Sequence, residues 1–199
     1  MTEDGRIRTF LAIDFPHEIK KTIERVQERL KLLIETPVQK IKWPRPDSIH
    51  LTLQFFGYIT LAQVKDISAL VKKNVEGAAP FMLKVGSLGA FPSINRPRVL
   101  YLGIEGAVAS LSRIQEQIAS DTEALGFKKE ERAFQPHLTL GRLKSAVRMP
   151  GLLAVLDGVG ERAAGSFTVQ EFILYKSDLR RDGPIYTALE SFPFGKGIE

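Results

Sequence analysis

The sequence contains no cysteine, and this absence removes several kinds of chemistry. Without thiols the protein can form no disulfide, no thiol nucleophile and no cysteine-ligated metal site. Long apolar runs are missing too, since none approaches the roughly 20 residues that a membrane-spanning helix needs. The N-terminal stretch MTEDGRIRTF lacks the basic and then apolar order of a secretory signal. We therefore expect a cytoplasmic protein that makes no contact with a membrane.

Glycine-rich nucleotide loops and serine-nucleophile turns are also missing. The sequence has no G-x-x-x-x-G-K-[ST], no G-x-G-x-x-G and no G-x-S-x-G. Histidine is scarce, with 3 in 199 residues, and no two histidines have the H-x-x-x-H spacing of a helical metal site. We therefore expect neither a metal nor a cofactor.

The composition is that of an ordinary globular protein with a basic surface. Apolar residues make up 44% and charged residues 26% of the chain, and the net charge is +5. A basic excess favours anionic partners, of which nucleic acid is the commonest. The alternative is a solvated surface that carries slightly more lysine than glutamate.

Two of the histidines open the same tetrapeptide. His-Leu-Thr-Leu occurs at 50–53 and again 87 positions later, at 137–140. The flanking sequence repeats at nearly the same interval, since Phe167 corresponds to Phe81 and Pro184 corresponds to Pro97. We interpret the chain as a single domain, residues 1–199, built from two repeats of approximately 6–97 and 98–194.

Hydrophobic spacing predicts the same order of elements in both repeats. Apolar residues recur at helical intervals in four segments, and apolar or alternating runs between them mark strands. The predicted helices cover 16–33, 61–77, 108–127 and 151–163, and the motifs lie on strands at 49–57 and 134–143. Strands in hairpin-like pairs favour an α+β fold with two mainly antiparallel sheets and helices packed outside.

The motif strands predict a catalytic site. Side chains alternate across a strand, so His50 and Thr52 point away from the core that the leucines enter, and His137 and Thr139 repeat the arrangement. In-line displacement at phosphorus needs a base and an acid, and histidine serves either role near neutral pH. Threonine hydroxyls can donate to phosphate oxygens. From the residues alone, either histidine fits either role.

These residues resemble the signatures of the two-histidine (2H) phosphoesterase superfamily. Within it, they are similar to the RNA 2′,3′-cyclic phosphodiesterases, also called 2′-5′ RNA ligases. Trp43, Pro46 and residues 50–57 resemble the first signature, and residues 134–142 resemble the second. The stretches AFPSINRPRVLYLGI and LYKSDLRRDGPIYTAL resemble two further family segments. The resemblance covers nearly the whole chain.

The resemblance implies a bilobal fold with a pseudo-twofold axis and a basic cleft between the lobes. It implies metal-free hydrolysis of RNA 2′,3′-cyclic phosphate ends, such as those of tRNA halves, to 2′-phosphomonoesters. By family analogy His50 is the general acid, His137 is the general base, and Thr52 and Thr139 bind the phosphate. Some relatives also join RNA ends into 2′-5′ linkages, which we expect as a secondary, reversible activity. We expect a monomer, because one chain supplies both motifs.

Arg142 follows the second motif on the opposite parity from His137. A regular strand would turn it toward the core, whereas a bulge at Gly141 would aim it into the cleft. There its guanidinium would hold phosphate, as the family resemblance also suggests. The alternative is an arginine in solvent at the end of the strand.

Other residues are candidates for binding the substrate. Phe56 shares the parity of His50, so it is a better candidate than Phe55 for stacking a base in the cleft. Tyr175 and Ser177 lie in a segment that resembles the family and either line or support the site. Basic loop residues are compatible with phosphate contacts or with solvated charge: Lys42, Arg45, Arg96, Arg98 and the RRDG turn at 180–183.

Three alternatives to RNA cyclic phosphate hydrolysis remain open at this stage. The same scaffold suits an enzyme for small cyclic nucleotides or for 2′-5′ oligonucleotides, which would differ in the length of the basic cleft. A non-catalytic RNA-binding module is the second alternative, although both His-Thr pairs are intact. A purely structural protein is the third, and it would leave the repeated polar pairs without a role.

Overall fold

The computed structural model describes residues 5–34, 41–146, 148–160, 165–180 and 183–195. Nine strands and four α-helices lie in this part of the chain. The strands are β1 (Ile7–Ile13), β2 (Ile41–Lys42), β3 (Leu51–Ile59), β4 (Phe81–Phe91), β5 (Val99–Gly106), β6 (His137–Leu143), β7 (Gly165–Val169), β8 (Glu171–Arg180) and β9 (Gly183–Pro193). The helices are α1 (His17–Leu33), α2 (Leu61–Val75), α3 (Val108–Glu123) and α4 (Leu152–Gly160).

The strands form two antiparallel sheets. The first has the order β3-β1-β8-β9, and the second has the order β2-β6-β5-β4-β7. Each sheet contains one motif strand, β3 in the first and β6 in the second. The predicted α+β fold with two antiparallel sheets is confirmed.

Each lobe takes elements from both halves of the sequence. In the first sheet β1 pairs with β8, and in the second β4 pairs with β5. The helices cross over as well, because α1 and α4 pack on the second sheet while α2 and α3 pack on the first. The repeat boundary near residue 97 is therefore not a boundary between lobes, and neither lobe is complete without the other half.

The helices begin and end close to their predicted positions. The buried face of α1 carries Ile19, Ile23, Val26 and Leu30, at the spacing that the sequence predicts. A reciprocal capping box starts α2, in which Thr60 and Gln63 each satisfy the other's backbone N–H. Residues 161–163, the predicted end of the fourth helix, lie outside the described residues. No helix in the described part is long and apolar enough to cross a membrane.

Candidate active site

The two motif strands present their histidines and threonines away from the core. All four motif leucines, Leu51, Leu53, Leu138 and Leu140, are buried. Thr52 is exposed, and Thr139, His50 and His137 are partly exposed. The alternation predicted for both motifs is therefore observed.

Both imidazoles are held in the same way. Nδ1 of His50 lies 3.0 Å from the backbone oxygen of Ser48, and Nδ1 of His137 lies 2.7 Å from that of Gln135. A carbonyl oxygen can only accept, so each Nδ1 carries a proton and donates it. Nε2 of each ring is then the atom that accepts or delivers a transferred proton.

Aromatic rings enclose His50. Phe10 stacks on the imidazole at 4.5 Å between ring centroids, and Tyr186 approaches edge-on at 5.0 Å. Tyr175 lies at 6.4 Å and also stacks on Phe10. Burial lowers the pKa of His50 to about 4, while the hydrogen bond to Ser48 opposes the shift. His50 is thus neutral in the free protein near pH 7.

His137 has a related but more open environment. Phe91 and Tyr101 lie at 5.1 and 5.5 Å from the imidazole, and they stack on each other. Burial lowers the pKa of His137, the hydrogen bond to Gln135 raises it, and the positive charge of Arg142 lowers it. Gly89 leaves the room that the Tyr101 ring occupies, since a Cβ there would lie 2.5 Å from that ring.

A bulge in β6 returns Arg142 to the face of the histidine. Thr139 and Gly141 lie opposite neighbouring residues of β5, so Leu140 between them is the extra residue. Arg142 then donates from Nη2 to Oγ1 of Thr139 at 3.3 Å. A Cβ at Gly141 would lie 2.8 Å from the Ile41 side chain, which accounts for the glycine. The expected irregularity next to Gly141 is therefore present.

Strand β3 has a bulge at the equivalent position, and this bulge contradicts one sequence prediction. Leu53 is an extra residue relative to β1, and a second bulge follows at Phe56. Phe56 is 7% exposed and packs edge-on against Phe127, whereas Phe55 is 51% exposed. The prediction that Phe56 lines the cleft is wrong, because the first bulge reverses the alternation and turns Phe55 to the side of His50.

Tyr186 lies beside His50 and is influenced by a charge of the second lobe. Its ring contacts His50 of the first lobe. Burial raises the pKa of Tyr186, and the positive charges of Arg8 and Arg142 act in the opposite direction. Arg142 belongs to the second lobe, so a charge from the second motif strand acts on a tyrosine of the first lobe.

A family model described as LigT like Phosphoesterase matches residues 13–101 and again residues 102–186. The two matches together span most of the chain and each contains one His-Leu-Thr-Leu motif. The chain belongs to the LigT-like phosphoesterase family. The family resemblance seen in the sequence is confirmed.

Two curated relatives match this LigT-like chain over nearly their whole length. One from Methanothermobacter thermautotrophicus is 31% identical over 187 residues, 94% of this chain and 98% of its own. One from Aquifex aeolicus is 35% identical over 180 residues, 88% of this chain and 93% of its own. Both are named RNA 2′,3′-cyclic phosphodiesterase.

A solved LigT structure shares the fold. The crystal structure of E. coli LigT complexed with 3′-AMP matches with a TM-score of 0.75 and 26% sequence identity. The match covers 96% of this chain and 99% of that protein. The likeness therefore extends over both lobes.

The remaining predicted binding residues of this LigT-like chain lie near the cleft or in loops. Tyr175 is half-buried beside Phe10, and burial raises its pKa to about 12. Ser177 is buried and accepts a hydrogen bond from Arg8. Lys42 lies opposite Arg142 in the sheet. Arg45, Arg96 and Arg98 are exposed, and residues 181–182 of the RRDG turn lie outside the described residues.

Sequence reasoning missed Arg8, which lies farther along β1 from His50, and it missed Phe10 and Tyr186, which contact His50. A signal existed for the first two, because Arg8 and Phe10 share one face of a strand whose other residues are mostly apolar. Tyr186 had no such signal, since only the pairing of β9 with β8 brings it to His50. Among the described residues, no group of three or more His, Cys, Asp or Glu side chains is placed to hold a metal.

Proposed function

We propose that this protein hydrolyses RNA ends that carry a 2′,3′-cyclic phosphate, giving 2′-phosphomonoesters without a metal. The observation that carries the proposal is the pair of matched histidines, each fixed through Nδ1 with Nε2 left for proton transfer. The names of the curated relatives support the same activity. We propose further that the protein acts as a monomer in the cytoplasm, on RNA ends such as those of tRNA halves.

In the proposed reaction His137 is the base. Its Nε2 takes a proton from water, and the water oxygen forms a bond to phosphorus. The bond between phosphorus and the 3′ oxygen breaks, and Nε2 of protonated His50 delivers a proton to that oxygen. Thr52, Thr139 and Arg142 donate to the non-bridging oxygens, whose negative charge must be stabilised in the transition state. Solvent then returns both histidines to their starting protonation states.

Family analogy is the basis of this assignment, and the environments of the two rings are compatible with it. The low pKa of His50 makes its protonated form a strong acid toward the leaving oxygen. A bound phosphodiester anion favours the protonated imidazole, because opposite charges attract within the cleft. His137 is enclosed by two rings instead of three and is the more open to water.

We propose ligation as a secondary, reversible reaction of the same site. A 5′-hydroxyl of a second RNA takes the place of water and attacks the cyclic phosphate. The 3′ oxygen again leaves with the proton of His50, and the product is a 2′-5′ phosphodiester. Because the entering and leaving groups are both alcohols, this reaction is reversible.

The test uses a short RNA that ends in a 2′,3′-cyclic phosphate, incubated in EDTA. Wild type should give the 2′-phosphate, identified by its separation from the 3′-phosphate. His50→Ala and His137→Ala should be folded by circular dichroism and lose about a thousandfold or more in rate. His17→Ala is the matched control, because His17 is exposed on α1. A 3′-phosphate product, activity lost in EDTA, or fully active His50 and His137 variants would each contradict the proposal.

A further inference from the structure

Arg8 and Arg142 lie on the sheet faces that carry the motif histidines, and a hydroxyl group holds each of them. Arg142 donates to Thr139, and Arg8 donates from Nη1 to Oγ of buried Ser177 at 2.7 Å. Neither forms an ion pair with an acidic side chain in the described part of the chain. A hydroxyl orients a guanidinium without neutralising it, so both positive charges are available to an anion.

In the first lobe, Arg8 lies beside the residue that corresponds to Arg142 of the second lobe. The residue that corresponds to Arg142 in the first repeat is Phe55, one repeat interval earlier. The guanidinium of Arg8 lies 4.3 Å from the centre of the Phe55 ring. The Phe55 ring is still half exposed, so it offers a flat apolar surface beside a cation.

The position of Arg8 places it beyond the reacting phosphate. Phe10 stacks directly on His50, and Arg8 is two residues away from Phe10 on the same face of β1. Two residues along a strand span about 7 Å. This separation is comparable with that between neighbouring phosphates of a single strand.

We propose that Arg8 and Phe55 form a second subsite, which binds the nucleotide that precedes the cyclic phosphate end of the RNA. Arg8 contacts the phosphodiester on the 5′ side of the terminal nucleoside, and Phe55 stacks the base of the preceding nucleotide. The inference rests on the proposed function, since it assumes RNA at the histidines. The subsite makes the protein prefer RNA to cyclic mononucleotides, which lack that phosphodiester.

Binding tests the subsite independently of turnover. The probes are adenosine 3′-monophosphate and the dinucleotide ApAp, which share the terminal phosphate and differ by one nucleotide. Arg8→Met should raise the Kd of ApAp about tenfold and leave that of the mononucleotide within twofold. The plot of log affinity against log salt for ApAp should flatten by about 0.7. Phe55→Leu should weaken only ApAp.

Two control variants distinguish a local contact of Arg8 from a general loss of positive charge or of folding. Arg113→Met removes an equal charge from the exposed face of α3 and should change neither Kd. Arg8→Lys keeps the charge and should restore part of the ApAp affinity, which also shows that the fold tolerates the position. Equal weakening of both probes by Arg8→Met would overturn the subsite, because Arg8 would then hold the terminal phosphate. Unchanged binding of both probes would overturn it too.

Catalysis gives a separate readout. If wild type hydrolyses no cyclic phosphate, the proposed function fails while the difference in Kd still decides the subsite. If wild type is active, Arg8→Met should lower kcat/KM about tenfold for an RNA trinucleotide ending in cyclic phosphate. For adenosine 2′,3′-cyclic monophosphate kcat/KM should stay within twofold, and an equal loss on both substrates would contradict the subsite.

Discussion

Gln27 on α1 donates a hydrogen bond from Nε2 to the backbone oxygen of Leu140 on β6, at 2.9 Å. Leu140 is the extra residue of the bulge that aims Arg142. Gln115 on α3 makes the matching bond to the oxygen of Leu53, the bulged residue of β3, at 3.2 Å. A bulged residue drops out of the strand ladder, so its buried carbonyl needs another donor. In both lobes a helix from the other half of the sequence supplies it.

Replacing Gln27 should disturb both the fold and the site. Gln27→Met keeps the length of the side chain but leaves the Leu140 oxygen without its donor, so the free energy of unfolding should fall by about 1–3 kcal/mol. We expect kcat to fall as well, because the bulge positions Arg142. Urea unfolding and steady-state kinetics measure the two effects. Gln117→Met, on the exposed side of α3, is the control. Equal effects of the two substitutions would remove the special role of Gln27.

Arg142 should contribute through its charge and its forked donors. Arg142→Met should lower kcat/KM about a hundredfold, because it removes a cation that stabilises charge on the reacting phosphate. Arg142→Lys should recover only part of the loss, since lysine cannot donate in the same planar geometry. Arg142 is exposed, so both variants should unfold at the wild-type temperature. Wild-type kinetics in Arg142→Met would exclude a role in catalysis.

His50 should make the fold sensitive to acid. The folded state lowers its pKa from 6.5 to about 4, so the folded protein resists a proton that the unfolded chain accepts. This contribution to stability is complete above pH 6.5 and is lost as the pH falls toward 4. Between pH 7 and pH 4.5 wild type should lose about 2–3 kcal/mol more than His50→Gln. Urea unfolding at both pH values measures the difference, and His17→Gln should behave as wild type does.

The pH dependence of kcat/KM, which reports the free protein, should differ from that of kcat, which reports the bound protein. In the free protein the proposed acid, His50, has a lowered pKa, so kcat/KM should decline as the pH rises through neutrality. The bound phosphodiester favours protonated His50, so the alkaline limb of kcat should lie at higher pH. Initial rates from about pH 4 to 9 give both profiles. A rising kcat/KM above pH 7 would contradict His50 as the acid.

The sequence predictions were accurate where a property depends on a few neighbouring residues. Alternation within a few residues correctly placed His50, Thr52, His137 and Thr139 on the face opposite the leucines. The same rule failed at Phe56, because a bulge at Leu53 shifts the alternation after the motif. The bulged residues Leu53 and Leu140 each accept a hydrogen bond from a glutamine on a distant helix. A strand pattern does not show such long-range donors.

Strand exchange accounts for most of what the sequence did not predict. Tyr186 lies on β9, and it reaches His50 only because β8 and β9 join the sheet of the first motif. Arg8 lies on β1, next to β8, so it meets Ser177 across the pairing of two sequence halves. Repeats in the sequence suggest two self-contained halves, whereas hydrogen bonding between their strands interlocks them.

The sequence by itself determined the duplicated motif, the family, the helices and the placement of two histidines and two threonines opposite the buried leucines. These depend on residue type and on short-range periodicity, which every segment carries within itself. Only the tertiary structure decided which phenylalanine faces the cleft, where the second cleft guanidinium lies and how far each imidazole is desolvated. Those properties arise from contacts between residues far apart in the chain, because burial, bulge geometry and sheet pairing are set by the neighbours that folding brings together.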